Sequence, residues 1–321
     1  MTESILQATA LTKVFRSTRR GRPPVTAVNR VSFSLSRGQV LALVGESGSG
    51  KTTIGRMLTG IEAPTDGKME WEGTAATNVR VDKRVNQRVQ MVFQDPYAAL
   101  NPFNTIEYTL TRPVVNFLGA NRLTASDRVR ELLETVRLTP ANSYLNKRPH
   151  ELSGGQRQRV VIARALAAAP DVIIADEPVS MLDVSIRAEV LRLLYDLLQD
   201  RRVESMLYIT HDLLSAKLLA DQVMVLYKGH TVEMGATDDI LGDPIHPYTR
   251  LLLSSIPNPR MRQSKTIAAS YEPVKTESRI TEGCPFAPRC PLVMAICWDE
   301  RPKLDMNSSG RSVACHAVGN P

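Results

Sequence analysis

The sequence predicts an α/β fold: a mostly parallel sheet with crossover helices, a helical insertion and a small cysteine-rich C-terminal appendage. From residue 25 onward, short apolar runs alternate with amphipathic segments, which is typical of strands joined by crossover helices. Residues 97–169 have helical character over their longest segments. Beyond residue 256 come 8 of the 20 prolines and all four cysteines, a composition that indicates a loop-rich appendage.

The predicted elements follow one another in chain order. Strand candidates are QVLALVG (residues 39–45), DVIIADE (171–177), MLYITH (206–211) and DQVMVLYKG (221–229), the last with a turn at Gly229. Helix candidates are residues 51–59 and 184–199 in the α/β part, and residues 126–137 and 155–169 in the insertion. We therefore divide the chain into a main unit, residues 1–256, with a helical subdomain at about residues 97–169, and an extension, residues 257–321.

The composition is that of a globular protein. With 43% hydrophobic residues among 321, the chain can bury a substantial core. The first residues show no secretory signal, and no apolar stretch reaches the 18 residues of a membrane-spanning helix, so we expect a soluble, cytoplasmic protein. The net charge of +7 is also common in proteins that bind neither nucleic acid nor membranes, and by itself it predicts no partner.

The run GESGSGKT (residues 45–52) matches the phosphate-binding loop pattern G-x-x-x-x-G-K-[ST] between a predicted strand and a predicted helix. Its glycines let the backbone approach phosphate oxygens, and the first amides of the helix point at the anion. We expect Lys51 to reach the β and γ phosphates and the Thr52 hydroxyl to bind Mg²⁺. The candidate nucleotide contacts here are Gly45, Glu46, Ser47, Gly48, Ser49, Gly50, Lys51, Thr52 and Thr53.

The segment VIIADEP places two acidic residues at the end of a buried strand, where Mg²⁺ needs oxygen ligands opposite the phosphate loop. Asp176 can orient the magnesium ion and its waters, and Glu177 can polarise an attacking water as general base. Neighbouring side chains of a strand point to opposite faces, so one of the two could lie at the surface instead. At the carboxyl end of a parallel strand, both can line a nucleotide crevice.

LSGGQRQR (residues 152–159) is a second candidate anion site, because a serine and two glycines begin a predicted helix. One nucleotide does not need two phosphate cradles within one fold. The second cradle therefore suggests a nucleotide bound to another subunit. Its candidate contacts are Ser153, Gly154, Gly155 and Gln156.

These motifs, in this order, resemble the nucleotide-binding subunits of ATP-binding cassette (ABC) transporters, and the resemblance covers nearly all of the chain. It implies a P-loop NTPase core of the ABC ATPase type. It also implies that Gln94 in VFQDPYAALNP contacts Mg²⁺ and links the core to the helical subdomain. SMLD (residues 180–183) resembles the family's D-loop, with Met181 where alanine is more usual. His211 matches the histidine that senses the γ-phosphate, and Phe15 is the candidate for stacking on adenine.

The resemblance further implies the partners of this ATPase. Two such subunits close head to tail on two ATP molecules, each ATP lying between the Lys51 loop of one chain and the Ser153 segment of the other. An unlike second ATPase, two membrane permeases and an extracytoplasmic solute-binding protein complete such an importer. Its ATPases lie peripherally on the cytoplasmic face of the inner membrane.

Four stretches resemble the importers of peptides, nickel and related solutes: GESGSGKTTIGR, VFQDPYAALNP, DPIHPYTRLLLSSIP (residues 243–257) and the cysteine tail. Oligopeptides or dipeptides are the cargo that we predict, with nickel, opines or oligosaccharides as alternatives. A different class, ABC ATPases that act on nucleic acid or ribosomes, usually carries long coiled coils or two cassettes. This chain has no sustained heptads and one cassette, so we expect no nucleic-acid partner. LSGGQ also argues against a kinase.

The four cysteines, Cys284, Cys290, Cys297 and Cys315, are separated by five, six and seventeen residues. Two disulfides are disfavoured in a reducing cytoplasm. A metal centre would hold together a segment too short for its own core. Structural zinc sites favour C-x₂₋₄-C pairs, a spacing that neither close pair has, and four cysteines also suit an iron-sulfur cluster. CPFAPRC and the two later cysteines resemble the tail of peptide-importer ATPases, which implies a structural 4Fe-4S cluster, with Zn²⁺ as the alternative.

Overall fold

The computed structural model describes residues 3–16, 23–75, 83–255, 282–307 and 310–318. The predicted boundary at residues 256 and 257 lies outside these ranges. The described strands are β1 Ser4–Phe15, β2 Val25–Ser36, β3 Val40–Val44, β4 Asp66–Trp71, β5 Thr74–Ala75, β6 Val89–Val92, β7 Val172–Asp176, β8 Ser205–Thr210, β9 Gln222–Tyr227, β10 His230–Ala236, β11 Asp305–Met306 and β12 Ser312–Val313.

The described α-helices are α1 Lys51–Leu58, α2 Lys83–Arg88, α3 Pro96–Ala99, α4 Ile106–Leu118, α5 Arg122–Thr135, α6 Asn142–Leu145, α7 Gly154–Leu166, α8 Val184–Gln199, α9 Leu213–Leu219, α10 Thr237–Gly242, α11 Pro247–Ser254 and α12 Ile296–Asp299. Two 3₁₀ turns cover Pro149–Glu151 and Ala287–Arg289. Within the described ranges, no helix is long and apolar enough to cross a bilayer.

The main sheet has the strand order β11-β12-β10-β9-β3-β8-β7-β6, and β9, β3, β8, β7 and β6 run parallel. Every residue of β3, β7 and β8 is buried, which explains why these strands read as continuous apolar runs rather than alternating ones. The predicted α/β fold is therefore confirmed. Because the strands are parallel, the residues that follow Val44, Asp176 and Thr210 meet at one edge of the sheet.

A second, antiparallel sheet of order β2-β1-β4-β5 covers the other face of α1. Ile54 and Leu58 of α1 are fully buried in one apolar cluster with Leu6 of β1 and Leu43 of β3. Helix α1 is thus held between the two sheets. This packing fixes the direction in which its N-terminus points.

Helices α3 to α7 occupy the region that the sequence assigns to a helical insertion. Helices α4 and α5 pack against each other and against α7. Leu110, Val129, Leu133 and Val160 are completely buried in the larger apolar cluster, which these helices share with the parallel strands. The insertion therefore packs directly on the α/β core.

The C-terminal segment is joined more closely to the core than its composition suggests. Strands β11 and β12 form a hairpin that extends the main sheet at β10. Phe286 is 1% exposed, and its ring lies 5.3 Å from that of Tyr227 and 5.4 Å from that of Tyr248, measured between centroids. The described part of this segment therefore packs beside the strand edge that carries the predicted site.

Candidate active site

The loop of residues 45–52 runs from the end of β3 to the start of α1, as the motif predicts. Gly45 and Gly50 have φ angles of 154° and 104°. A Cβ atom on Gly45 would lie 2.2 Å from the carbonyl oxygen of Leu226, and one on Gly50 would lie 2.3 Å from that of Ala27. Only glycine fits at either position, so the loop lies tightly against β9 and β2. The first amides of α1 are left facing the loop, as anion binding requires.

Lys51 is a buried ammonium group at the base of this loop. It is 5% exposed, and its Nζ donates to the carbonyl oxygens of Gly45 at 2.8 Å and Glu46 at 3.0 Å. Burial lowers the pKa of Lys51, whereas the nearby carboxylates of Glu177, Asp176 and Glu46 raise it. The side chain is therefore held in place before any nucleotide arrives.

Asp176 ends β7 directly opposite the loop. The Thr52 hydroxyl donates to Asp176 Oδ1 at 3.0 Å, so two of the three predicted magnesium ligands are neighbours. Burial raises the pKa of Asp176, and the hydrogen bond from Thr52 lowers it. A divalent cation would relieve the burial penalty on this carboxylate.

Glu177 leaves the strand in a conformation that few non-glycine residues adopt, with φ at 45°. Its backbone N–H donates to the carbonyl oxygen of Ile209 at 2.9 Å, which keeps the turn in register with β8. Its carboxylate accepts a hydrogen bond from Gln94 Nε2 at 2.9 Å and lies 3.2 Å from His211 Nδ1. The backbone turn therefore brings Glu177 to the same crevice that Asp176 reaches.

Lys51, Thr52 and Glu177 line a cavity of about 610 Å³, whereas Asp176 is not among its lining residues. Its lining residues are Ala27, Ser47, Gly48, Gly50, Lys51, Thr52, Thr53, Gln94, Glu177 and His211. All of them except Ala27 are predicted site residues. Ala27 carries no chemical signal in the sequence, because it meets the loop through its backbone carbonyl.

Phe15 and the LSGGQ segment are not among the residues that line this cavity. Phe15 ends β1, is 39% exposed and has Lys13 Nζ 5.0 Å from its ring centroid. Ser153 caps α7: its hydroxyl accepts from the Gln156 amide at 3.2 Å, and Gln156 Oε1 accepts from the Ser153 amide at 3.1 Å. The LSGGQ segment is thus a well-capped helix start that does not line the cavity at residues 45–52.

The loop has two further neighbours, Tyr248 and Arg289, that its sequence pattern does not predict. The Glu46 amide donates to Tyr248 Oη at 2.9 Å, and the Arg289 guanidinium donates to both carboxylate oxygens of Glu46, at 2.9 and 3.0 Å. Tyr248 lies in DPIHPYTRLLLSSIP and Arg289 in CPFAPRC, two runs that were noted for their resemblance to importer subunits. Nothing in those runs indicated that they contact the loop, which lies about two hundred residues earlier.

The described residues do not show the predicted metal centre at the cysteines. All four lie within the described ranges, and none forms a disulfide. Burial raises the pKa of Cys284 and that of Cys290, the latter to about 11; Cys297 and Cys315 add to both shifts, and Cys284 adds to that of Cys290. The four are therefore near one another. Nevertheless, no group of three or more His, Cys, Asp or Glu side chains in the described part of the chain is arranged to hold a metal ion.

The loop and the acid pair do fit ATP with Mg²⁺. The Ser49 hydroxyl is buried at the loop and finds no hydrogen-bond partner among the described residues, as expected of a group that awaits a phosphate oxygen. Gly45 and Gly50 form a cradle that a side chain would fill. Thr52 and Asp176 supply two hard oxygen atoms, the donor type that Mg²⁺ prefers.

Comparisons with known proteins agree with this geometry. The family of ABC transporters matches residues 28–180, and the C-terminal region of oligopeptide/dipeptide transporters matches residues 232–297. The chain is 44% identical to a putative peptide import ATP-binding protein of Brucella abortus, over 92% of this chain and 88% of that protein. It is 40% identical to the di/tripeptide transport ATP-binding protein DppF of Pseudomonas aeruginosa, over 98% of both.

Among solved structures, a dimeric ATP-binding cassette in a post-hydrolysis state, bound to ADP and phosphate, superposes with a TM-score of 0.64. The two sequences are 27% identical, and the match covers 72% of this chain and 98% of that one. The fold and the cavity therefore define a nucleotide-binding ATPase cassette. The chain belongs to the ABC transporter family, as an ATP-binding subunit of the kind that couples ATP hydrolysis to transport.

Proposed function

We propose that this chain hydrolyses ATP to power the import of oligopeptides or dipeptides through a membrane transporter. The observation that carries the proposal is the combination, in one chain, of the ATPase cavity with a C-terminal region typical of oligopeptide/dipeptide transporters. The names of the relatives from Brucella abortus and Pseudomonas aeruginosa point to the same cargo.

We assign each site residue a role that its contacts support. Lys51 and the loop amides would bind the β and γ phosphates, while Thr52, Asp176 and Gln94 would hold the magnesium ion and its waters. Bound Mg²⁺ would neutralise negative charge on the phosphates and orient them. Glu177 accepts a proton from the attacking water. His211, beside the Glu177 carboxylate, reports whether the γ-phosphate is in place.

The LSGGQ segment and Phe15 have roles in the same proposal. In a head-to-tail pair of cassettes, the amides after Ser153 face the nucleotide bound by the partner, which accounts for a helix start that lies away from the chain's own cavity. The D-loop, residues 180–183 including Met181, lies in the chain between Glu177 and the start of α8. Phe15, exposed at the end of β1, stacks on adenine. A cassette dimer bound to ADP and phosphate is a precedent.

The proposal includes the assembly around the ATPase. Residues 1–256 form the nucleotide-binding unit, with the helical subdomain at about residues 97–169, and residues 257–321 form the extension. Movement of the helical subdomain on ATP binding drives two permease subunits. A second ATPase, unlike this chain, and an extracytoplasmic solute-binding protein complete the importer. The chain is then peripheral to the inner membrane, at its cytoplasmic face.

Affinity purification of the tagged full-length chain from detergent-solubilised membranes tests this assembly. We expect two integral membrane subunits and a second ATPase to co-purify, and ATP hydrolysis to rise when peptide-loaded binding protein is added. Stimulation by loaded nickel-, opine- or oligosaccharide-binding protein instead of peptide would overturn the peptide assignment. Association with nucleic acid or ribosomes, without a membrane partner, would overturn transport altogether.

We also propose that Cys284, Cys290, Cys297 and Cys315 hold a structural 4Fe-4S cluster. What supports the proposal is that the four thiols are unbridged and that Cys284, Cys290 and Cys297 lie within residues 232–297, the region that matches oligopeptide/dipeptide transporters. Iron and sulfide assays and visible absorbance of anaerobically purified protein test the idea. We expect about four iron atoms per chain, the content of a 4Fe-4S cluster. Stoichiometric zinc without iron, or no metal at all, would contradict it.

A further inference from the structure

Glu46 is the second residue of the phosphate loop, and two residues from later in the chain hold it: Tyr248 contacts its backbone amide and Arg289 its side chain. Tyr248 Oη accepts from the Glu46 amide at 2.9 Å. Arg289 donates to the two carboxylate oxygens at 2.9 and 3.0 Å, a bidentate geometry that gives the strongest arginine–carboxylate contact. Two residues, each more than two hundred positions away in sequence, therefore fix one end of the loop.

Arg289 reaches Glu46 from a rigid support. It ends the 3₁₀ turn Ala287–Arg289, and its guanidinium carbon lies 5.8 Å from the ring centroids of both Tyr227 and Phe286. Phe286 and Tyr248 are almost completely buried, at 1% and 0% exposure. Because its surroundings are fixed, little conformational freedom is lost when Arg289 binds Glu46.

The negative charge of Glu46 is unfavourable for binding an anion at this position. A carboxylate at the start of a phosphate loop repels the negatively charged phosphates of ATP. Its field reaches the base of the loop, because it is one of three carboxylates that raise the pKa of Lys51. The Arg289 guanidinium lies against this carboxylate and cancels its charge.

We propose that Arg289 is a positioning residue for ATP binding, which holds the phosphate loop through Glu46 and neutralises the carboxylate that would otherwise repel the nucleotide. The inference rests on the proposed role of residues 45–52 as the ATP phosphate loop. It assigns to CPFAPRC a task at the nucleotide site that does not depend on whether the cysteines bind a metal.

The test is calorimetric titration of the full-length chain with ATP and Mg²⁺, in a Glu177→Gln background so that nucleotide is not consumed. Arg289→Gln is expected to raise the Kd for ATP about tenfold, since one uncompensated charge acts on several phosphate charges. Removing the carboxylate as well, in Glu46→Gln/Arg289→Gln, is expected to recover most of the lost affinity. Arg289→Lys keeps the positive charge but not the two-pronged guanidinium geometry, so its Kd for ATP should lie between those of the chain with Arg289 and of Arg289→Gln.

Two readouts separate this role from simple stabilisation of the fold. The difference in Kd for ATP between Arg289→Gln and the chain with Arg289 should become smaller in about 1 M salt, because ions screen the repulsion between Glu46 and the phosphates. In the otherwise wild-type chain, Arg289→Gln should raise KM for ATP with kcat within about twofold, the pattern of lost uniform binding. Arg202→Gln is the matched control, because it breaks an Arg–Glu pair to Glu131 with a 2.7 Å contact on another part of the surface.

The outcomes are distinct. A lower melting temperature for Arg289→Gln with an unchanged Kd for ATP would overturn the inference, as would a double variant that binds ATP no better than Arg289→Gln. If the chain with an intact Arg289 bound no ATP, the proposed function would fail, and the inference with it. Tight binding that is insensitive to Arg289→Gln would overturn the inference alone.

Discussion

Replacing Glu177 with glutamine is expected to lower ATP turnover by about 10²- to 10⁴-fold, the range that a general base contributes. Glutamine keeps the size of the side chain and an oxygen that can accept from Gln94, now 2.9 Å from the carboxylate. It cannot take a proton from water. ATP affinity and association into the ATP-bound dimer should therefore persist while hydrolysis stops.

Turnover is measured by phosphate release, and dimer formation by size-exclusion chromatography with ATP and Mg²⁺. Glu134→Gln is the control, since Glu134 is an exposed residue of α5 outside the cavity. It should hydrolyse ATP at the rate of the unmodified chain. Hydrolysis by Glu177→Gln at that same rate would show that Glu177 is not the base.

Replacing Lys51 with methionine is expected to remove detectable hydrolysis and to weaken ATP binding by about tenfold or more, because a charged donor to phosphate is lost. The carbonyl oxygens of Gly45 and Glu46, which Lys51 Nζ contacts at 2.8 and 3.0 Å, would also lose their donor. Methionine fills a similar volume, so the loop should stay folded. The measurement is fluorescence titration with a nucleotide analogue alongside phosphate release.

Lys217→Met provides the matched control for this variant. Lys217 is exposed in the last turn of α9 and does not line the cavity. Its replacement should leave ATP affinity and turnover unchanged. Full ATP affinity in Lys51→Met would mean that the loop of residues 45–52 does not bind the phosphates.

The sequence was sufficient for the parts of the molecule that local patterns encode. Continuous apolar runs correctly predicted the buried parallel strands β3, β7 and β8, because side chains covered on both faces of a sheet leave no polar alternation. The glycines and the lysine of residues 45–52 also predicted the loop between β3 and α1. In both cases the physical cause lies within a few residues of the element itself.

The direction of the Glu177 side chain could not be read from the strand pattern, since alternation alone would send it away from Asp176. The answer lies in one backbone angle, the φ of 45°, which the bond from the Glu177 amide to Ile209 helps to maintain. A contact with the neighbouring strand β8 thus decides how Asp176 and Glu177 are oriented relative to each other. No property of the segment VIIADEP specifies that contact.

The C-terminal segment was the least predictable part. Its prolines and cysteines suggested a loop-rich appendage but gave no sign that strands β11 and β12 extend the main sheet or that Phe286 is buried beside Tyr227. Two-residue strands carry too little periodicity to be recognised. The hydrogen-bonded ion pair between Arg289 and Glu46 joins residues 243 positions apart, and contacts over such separations depend on the whole fold.

Peptide uptake by the reconstituted transporter is the measurement that tests the central claim most directly. Proteoliposomes would carry the co-purified complex, with ATP supplied on the side of this chain and a labelled peptide on its loaded binding protein on the other. The account predicts uptake that requires ATP and falls to background when Glu177 is replaced by glutamine. Uptake at the unmodified rate with Glu177→Gln, or ATP hydrolysis without any peptide uptake, would contradict it.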